Sequence, residues 1–188
     1  EESEYQGVRL SLDAYLDKTR IPLKIDISTG DVITPCEISF SYQLMFENRT
    51  IPLLAYPPET VLAEKLETIL SRGEANTRLR DFYDVYILQR EDFVVTPDAL
   101  CHALLATCRK RGHEDLLHTY ASILDRVRQS DTMRTQWMKY QSDFDYAAGI
   151  TWDTVLDTVE TLCMKTLDDH AFGDELPQEE SQFEMHLL

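Results

Sequence analysis

The sequence predicts an α+β protein in which strands come first and helices follow. Apolar and polar residues alternate in the first part of the chain, with the two-residue period of half-buried strands. After the pair Pro57-Pro58, the apolar residues recur with the period of amphipathic helices. Strands followed by a run of helices are typical of α+β folds, whereas α/β folds alternate the two. We therefore expect a β-sheet at the N-terminus and a mostly α-helical bundle after it.

The strand pattern occurs in four segments, at residues 8–12, 21–28, 37–46 and 50–55. In the second segment, Ile25 and Ile27 point to one face, while Lys24 and Asp26 point to the other. Gly30 follows in a turn, where it can take the positive φ that most residues avoid. The alternation indicates strands with one apolar and one polar face.

The helical pattern begins near Pro58, which suits a first helical turn, and the first helix ends at Gly73. A second helix is expected from an Asn76-Thr77 cap through Leu88. Further helices are expected at residues 97–111, 114–129, 131–144 and 151–168. We divide the chain into three parts: a β-rich part at 1–56, an α-helical domain at 57–170, and an acidic tail at 171–188 that we expect to be disordered.

The chain is strongly acidic, with a formal net charge of -16 at pH 7. Such a charge repels phosphates and argues against indiscriminate binding to nucleic acids or membranes, although a local basic groove is compatible with it. Residues 168–188 contain seven acidic residues and no Lys or Arg, so they supply much of the imbalance. No apolar run approaches the roughly 18 residues of a membrane span. We expect a cytoplasmic protein without a membrane partner.

Two side chains of the first predicted strands and helix are candidates for chemistry. Asp26 lies in the centre of a predicted strand, where Asp is disfavoured. It is either a solvent-facing strand residue or an oxygen ligand for Mg²⁺. Lys65 lies in the first predicted helix, and Arg72 falls on nearly the same face seven residues later. Lys65 is either part of an amphipathic surface or a cation that binds phosphate.

The second predicted helix is dense in charge. Arg78 and Asp81 are three residues apart, and Arg80 and Asp84 are four apart, so the members of each pair are helix neighbours. One interpretation is a set of surface ion pairs of little energetic weight. However, the aromatic and aliphatic residues between them leave little purely solvated face. Some of these charges should therefore lie near packed structure, where they need partners.

A basic run closes the third predicted helix, at Arg109, Lys110 and Arg111. Cations at a helix C-terminus complement the helix dipole, which explains the run without any binding function. Contact with RNA is the alternative interpretation.

Three successive segments resemble the motifs of one family. They read KIDISTGD at residues 24–31, AEKLETILSRG at 63–73 and NTRLRDFYDVYIL at 76–88. In their order, spacing and residue types, they resemble the motifs of the AbiEii/AbiGii-type nucleotidyltransferase toxins of the polymerase-beta-like nucleotidyltransferase superfamily. The resemblance covers about residues 5–90. It implies a partial nucleotidyltransferase-type mixed β-sheet at the N-terminus and a role in a bacterial toxin–antitoxin or abortive-infection system.

The resemblance also implies site roles. Asp26 would complete an acidic Mg²⁺ site, Lys65 would contact a triphosphate, and Asp81 would be the key aspartate of the last motif. The nucleotide-binding candidates are Lys65, Arg72, Arg78, Arg80 and Asp84. The implied substrate is an NTP, the acceptor an RNA (the 3′ end of tRNA) or a protein, and a cognate antitoxin is a further partner. In such chemistry metal ions clamp the attacking and leaving oxygens, and basic residues offset the triphosphate charge.

One motif of the family is missing from this sequence. The pattern GSxxxRxSxDxD, which supplies two metal-binding carboxylates, does not occur before Asp26. We therefore expect the chain to be the C-terminal portion of a longer nucleotidyltransferase and to be inactive alone. The alternative is a non-catalytic interaction domain of the same scaffold that binds an antitoxin or RNA.

Overall fold

A computed structural model of the chain describes residues 7–90 and 95–168. Within these ranges, strands come first and α-helices follow, which confirms the α+β prediction. The strands are β1 (Gly7–Leu16), β2 (Thr19–Ser28), β3 (Ile38–Gln43) and β4 (Thr50–Ala55). The helices are α1 (Pro58–Arg72), α2 (Leu79–Leu88), α3 (Pro97–Arg111), α4 (Leu116–Gln129), α5 (Asp131–Asp143) and α6 (Trp152–Leu167). The tail predicted at 171–188 lies outside the described residues.

The four strands form two antiparallel hairpins. β1 pairs with β2, with Gly7 opposite Ser28 and Leu16 opposite Thr19, and β3 pairs with β4 in the same way. Within residues 7–90 and 95–168, the strands form these two-stranded antiparallel sheets, whereas the family resemblance implied a mixed β-sheet. The physical reason is that short connections let strands adjacent in the chain pair directly, which produces antiparallel ladders.

Each hairpin has an apolar face that remains exposed. In the first hairpin, Leu10 lies opposite Ile25 and Leu12 lies opposite Leu23 on the same face. Each of these four side chains keeps between 42% and 47% of its surface exposed. The alternation in the sequence therefore does produce a two-faced strand pair, as predicted, but the described helices do not cover its apolar face.

The hydrophobic core lies among the helices. α1 packs against α2 and α3, and α6 packs against α2, α3 and α4. Large aromatic rings fill one end of this core, where the ring centroids of Phe82 and Trp152 are 5.1 Å apart. The indole Nε1 of Trp137 donates a hydrogen bond to the Ile150 carbonyl at 2.8 Å. In the described ranges, no helix combines the length and apolar composition needed to cross a membrane.

Local residues set where α1 ends and where α2 begins. Pro58 occupies the first turn of α1, and Gly73 ends it with a positive φ of 48°. The second helix begins at Leu79, later than the Asn76-Thr77 cap suggested. Asn76 Oδ1 instead accepts a hydrogen bond from the backbone N–H of Arg78 at 2.7 Å, which orders the turn before the helix. This turn places α2 alongside α1.

Candidate functional site

Lys65 of α1 and two carboxylates of α2 form a mostly buried charge cluster. Lys65 Nζ lies 3.2 Å from Asp81 Oδ1 and 2.7 Å from Asp84 Oδ2. The three side chains are between 16% and 23% exposed. A lysine removed from water to this extent needs counter-charges, and the two aspartates supply them. The structure thus brings together three residues that the sequence analysis selected.

This cluster lies at the wall of a cleft with a volume of about 400 Å³. The walls come from the turn after β2, from α1, from the start of α2 and from the end of α3. Both cations and carboxylates line it. The cations are Lys65, Arg78 and Arg111, and the carboxylates are Asp31, Glu64 and Asp81. A ligand that enters the cleft therefore meets charged groups of both signs.

Asp81 has one carboxylate oxygen with no donor. It lies in the first turn of α2, where the helix dipole favours an anion. Its Oδ1 accepts a hydrogen bond from Lys65, whereas its Oδ2 is buried and receives no hydrogen bond from the described residues. A buried acceptor without a donor costs free energy. In this arrangement Asp81 therefore acts through Oδ1, as a counter-charge for Lys65.

Asp31 is a cleft carboxylate that we did not select as a site residue from the sequence. Its Oδ2 accepts hydrogen bonds from Ser28 Oγ at 2.6 Å and from Tyr56 OH at 3.0 Å. Burial raises the pKa of Tyr56, and the bond to Asp31 raises it further. The loop is fastened to α1 because Thr34 N donates to Thr60 Oγ1 at 2.9 Å. In the sequence, the one indication that Asp31 belongs to the site was its position as the last residue of the segment KIDISTGD.

Asp26, the predicted metal ligand, lies on the polar face of β2 and does not line the cleft. Arg9 of β1 donates to it from Nη2 at 2.9 Å, and both side chains are more than half exposed. The hydrogen bond from Arg9 lowers the pKa of Asp26. In the described ranges, no group of three His, Cys, Asp or Glu side chains is placed to hold a metal ion. The role of Asp26 as a Mg²⁺ ligand stays a prediction.

The three arginines selected as nucleotide-binding candidates lie in different places. Arg78 lines the cleft. Arg80 is 76% exposed and lies 3.7 Å from Asp84 as an i,i+4 ion pair. Arg72 is exposed at the end of α1, about two turns of helix beyond Lys65. Of the three, the structure places only Arg78 at the cleft, and the binding roles of Arg72 and Arg80 stay predictions.

Arg111 at the end of α3 is a second cleft residue that we did not select. Its Nη1 donates to the carboxylate of Glu67, which is only 2% exposed, and its Nη2 lies 3.6 Å from Glu64 Oε1. His113 Nδ1 contacts the other oxygen of Glu67 at 2.7 Å. Burial raises the pKa of Glu64, and the charge of Arg111 partly opposes that shift. The basic run predicted helix-end cations, but only the packing of α3 on α1 shows that Arg111 points into the cleft.

Comparison with known proteins identifies the family. Residues 1–158 match the family model described as nucleotidyl transferase AbiEii toxin, type IV TA system. Searches of curated proteins and of solved structures found no match. The matched range contains the three motifs that carried the resemblance, and it covers most of the 188 residues of the chain. The chain therefore belongs to the AbiEii family of nucleotidyl transferase toxins of type IV toxin–antitoxin systems.

Proposed function

We propose that the cleft binds the triphosphate of a nucleoside triphosphate and that the chain acts in nucleotide transfer. The observation that supports this most directly is Lys65, a mostly buried ammonium group held between Asp81 and Asp84 at the wall of the cleft. Lysine binds phosphate as a point charge and adapts to a new partner by rotating its flexible stem. The aspartates thus hold the ammonium group in place until a phosphate replaces one of them.

The reaction we propose is a nucleotidyl transfer. An acceptor hydroxyl oxygen attacks the α-phosphorus of the NTP, the bond from that phosphorus to the oxygen bridging to the β-phosphate breaks, pyrophosphate leaves, and the hydroxyl proton passes to solvent. Lys65 and Arg78 offset the negative charge of the phosphates. The acceptor we propose is an RNA, at the 3′ end of tRNA, or a protein; Mg²⁺ is the cofactor that the family resemblance implies.

Nucleotide binding is tested by calorimetric titration of the chain with ATP, GTP, CTP and UTP, with and without Mg²⁺. A ligand that binds only the folded state at 100 times its Kd stabilises the protein by about 2.7 kcal/mol, so the melting temperature is a second readout. Lys65→Met removes the charge that contacts phosphate and should weaken binding by about 10- to 100-fold. Lys139→Met, at an exposed position of α5, is the matched control and should bind as the wild type does.

Because we expect the chain to be inactive alone, transfer is measured with the gene product translated from its native start codon, labelled NTPs, Mg²⁺ and total tRNA or candidate proteins. Label that appears on an acceptor with the wild type and is lost with Lys65→Met supports the proposal. If none of the four NTPs binds, or if Lys65→Met and Lys139→Met bind equally, the cleft is not a triphosphate site.

A second candidate is a non-catalytic interaction domain that binds a cognate antitoxin or RNA. The observation that favours it is the apolar face of each hairpin, which the described helices leave exposed. Contiguous exposed apolar faces mark interaction surfaces. This candidate predicts that no nucleotide raises the melting temperature, so the titration above discriminates between the two.

A further inference from the structure

We propose that Arg111 is a second phosphate-binding cation of the cleft and that Glu64 occupies it when no nucleotide is bound. This inference rests on the proposed binding of NTP at Lys65 and adds to it a residue from a different helix. Lys65 reaches the cleft from α1, and Arg111 reaches it from the C-terminal end of α3. A triphosphate carries several negative charges along its length, so cations from two elements can contact different phosphate groups.

Glu67 of α1 fixes the orientation of the Arg111 guanidinium group. Its carboxylate is almost completely buried and accepts from Arg111 Nη1 on one oxygen, while His113 contacts the other. Thr68 Oγ1 lies 3.5 Å from the same Nη1. A guanidinium group is planar and carries its donors in a fixed fork, so holding one nitrogen sets the direction of the others. Arg111 therefore presents a charged edge to the cleft in a fixed orientation.

Glu64 is the group that a phosphate would replace. Its Oε1 lies 3.6 Å from Arg111 Nη2, which is beyond the 2.7–2.9 Å of a charge-assisted hydrogen bond. Glu64 also lines the cleft, and burial disfavours its ionised form. A phosphate oxygen can approach Nη2 more closely and with more charge than this carboxylate does. The ion pair between Glu64 and Arg111 is thus a weak contact that nucleotide binding exchanges for a stronger one.

The alternative role of Arg111 is purely structural, as a tie between α3 and α1. The two roles predict different responses to ligand length and to Glu64. A phosphate contact should weaken the binding of NTPs and of inorganic tripolyphosphate while leaving the weaker binding of nucleoside monophosphates almost unchanged. If Arg111 is only a structural tie, its loss should leave all of these affinities unchanged while the variant is folded, or change them all together if the cleft is distorted.

The experiment measures the Kd of the best-bound NTP, of its monophosphate and of tripolyphosphate for four variants and the wild type. Arg111→Gln should weaken NTP binding by about 10- to 100-fold, because it removes a charged hydrogen bond to phosphate. Arg109→Gln is the matched control: Arg109 lies two residues earlier, is exposed, and pairs only loosely with Glu114 at 4.0 Å. It should leave the Kd within about twofold of the wild type.

Glu64→Gln should change the affinity for NTP in the opposite direction to Arg111→Gln. It removes a negative charge from the cleft and the competitor for Arg111, so the NTP should bind about 3- to 10-fold more tightly. In the double variant Glu64→Gln/Arg111→Gln, most of this gain should disappear. The Glu64→Gln variant also keeps the proposal testable if Arg111→Gln does not fold, because the substitution at Glu64 leaves the buried contact of Glu67 with Arg111 intact.

The outcomes separate this inference from the proposed function. If the wild type binds NTP and Lys65→Met weakens binding as expected, but Arg111→Gln binds NTP as Arg109→Gln does, the role of Arg111 is wrong and the function stands. The same conclusion follows if Glu64→Gln binds NTP no more tightly than the wild type. If the wild type binds neither NTP nor tripolyphosphate, both proposals are overturned.

Discussion

Replacing Glu67 by Gln tests how much the buried charge network between α1 and α3 contributes to stability. Glu67 is 2% exposed and partners both Arg111 and His113. Breaking a buried ion pair by removing one charge costs about 3–5 kcal/mol, because the other charge stays buried without compensation. Here Glu64 remains 3.6 Å from Arg111, and Gln keeps one acceptor oxygen. We therefore expect the lower end, about 3 kcal/mol.

The assay is urea unfolding followed by circular dichroism, together with thermal melting. For a chain of this length, 1 kcal/mol corresponds to about 2–4 °C, so Glu67→Gln should lower the melting temperature by about 6–12 °C. The control is Glu74→Gln, because Glu74 is half exposed and pairs with Arg126 at 3.7 Å on the surface. It should cost less than about 1 kcal/mol.

The reasoning is refuted if Glu67→Gln and Glu74→Gln lower the free energy of unfolding by the same amount. A double-mutant cycle gives a further check. Glu67→Gln and Arg111→Gln each remove the same contact, so the double variant should be less destabilised than the sum of the two single variants. Additive effects would show that the two side chains do not stabilise the protein through each other.

Two further predictions concern pH and thiol reactivity. Burial raises the pKa of Glu64 above its ordinary value of 4.5, so the folded state binds the proton more tightly than the unfolded state and loses stability as pH rises through the folded pKa. Glu64→Gln should therefore be more stable than the wild type at pH 7, and the difference in unfolding free energy should vanish below about pH 4.5; a difference that persists at pH 4 would contradict this. Cys36 is exposed, whereas burial raises the pKa of Cys108 and Cys163 to about 12. A thiol reagent should thus modify one cysteine rapidly in the native protein, and Cys36→Ser should abolish the rapid phase seen by mass spectrometry.

The parts of the fold that could be predicted are those set by local sequence. The two-residue period gave the strands, and Pro58 and Gly73 gave the bounds of α1, because both signals act within a few residues of the chain. The pairing of strands was predicted less well. Alternation specifies which face is apolar but not which strand lies next to it, so the two separate hairpins were not foreseen.

The candidate site divides in the same way. Lys65, Asp81 and Asp84 were selected because the motif resemblance named them, and the helix spacings within the last motif suggested packed charges. Arg111 was not selected, because its position depends on the packing of α3 against α1, across more than forty residues of sequence. Likewise, the pairing of Asp26 with Arg9 depends on hairpin register, which the period alone does not give.

The exposed hairpins divide the molecule into parts of unequal local stability. Two-stranded sheets with uncovered apolar faces have little tertiary packing to protect them, so their backbone amides should exchange with solvent through local opening, while the helical core exchanges only on global unfolding. The turn after the first hairpin nevertheless supplies Ser28 and Asp31 to the cleft. A ligand that contacts both this turn and Lys65 would restrain the first hairpin. Slower amide exchange in β1 and β2 would then report occupancy of the cleft at a distance from the ligand itself.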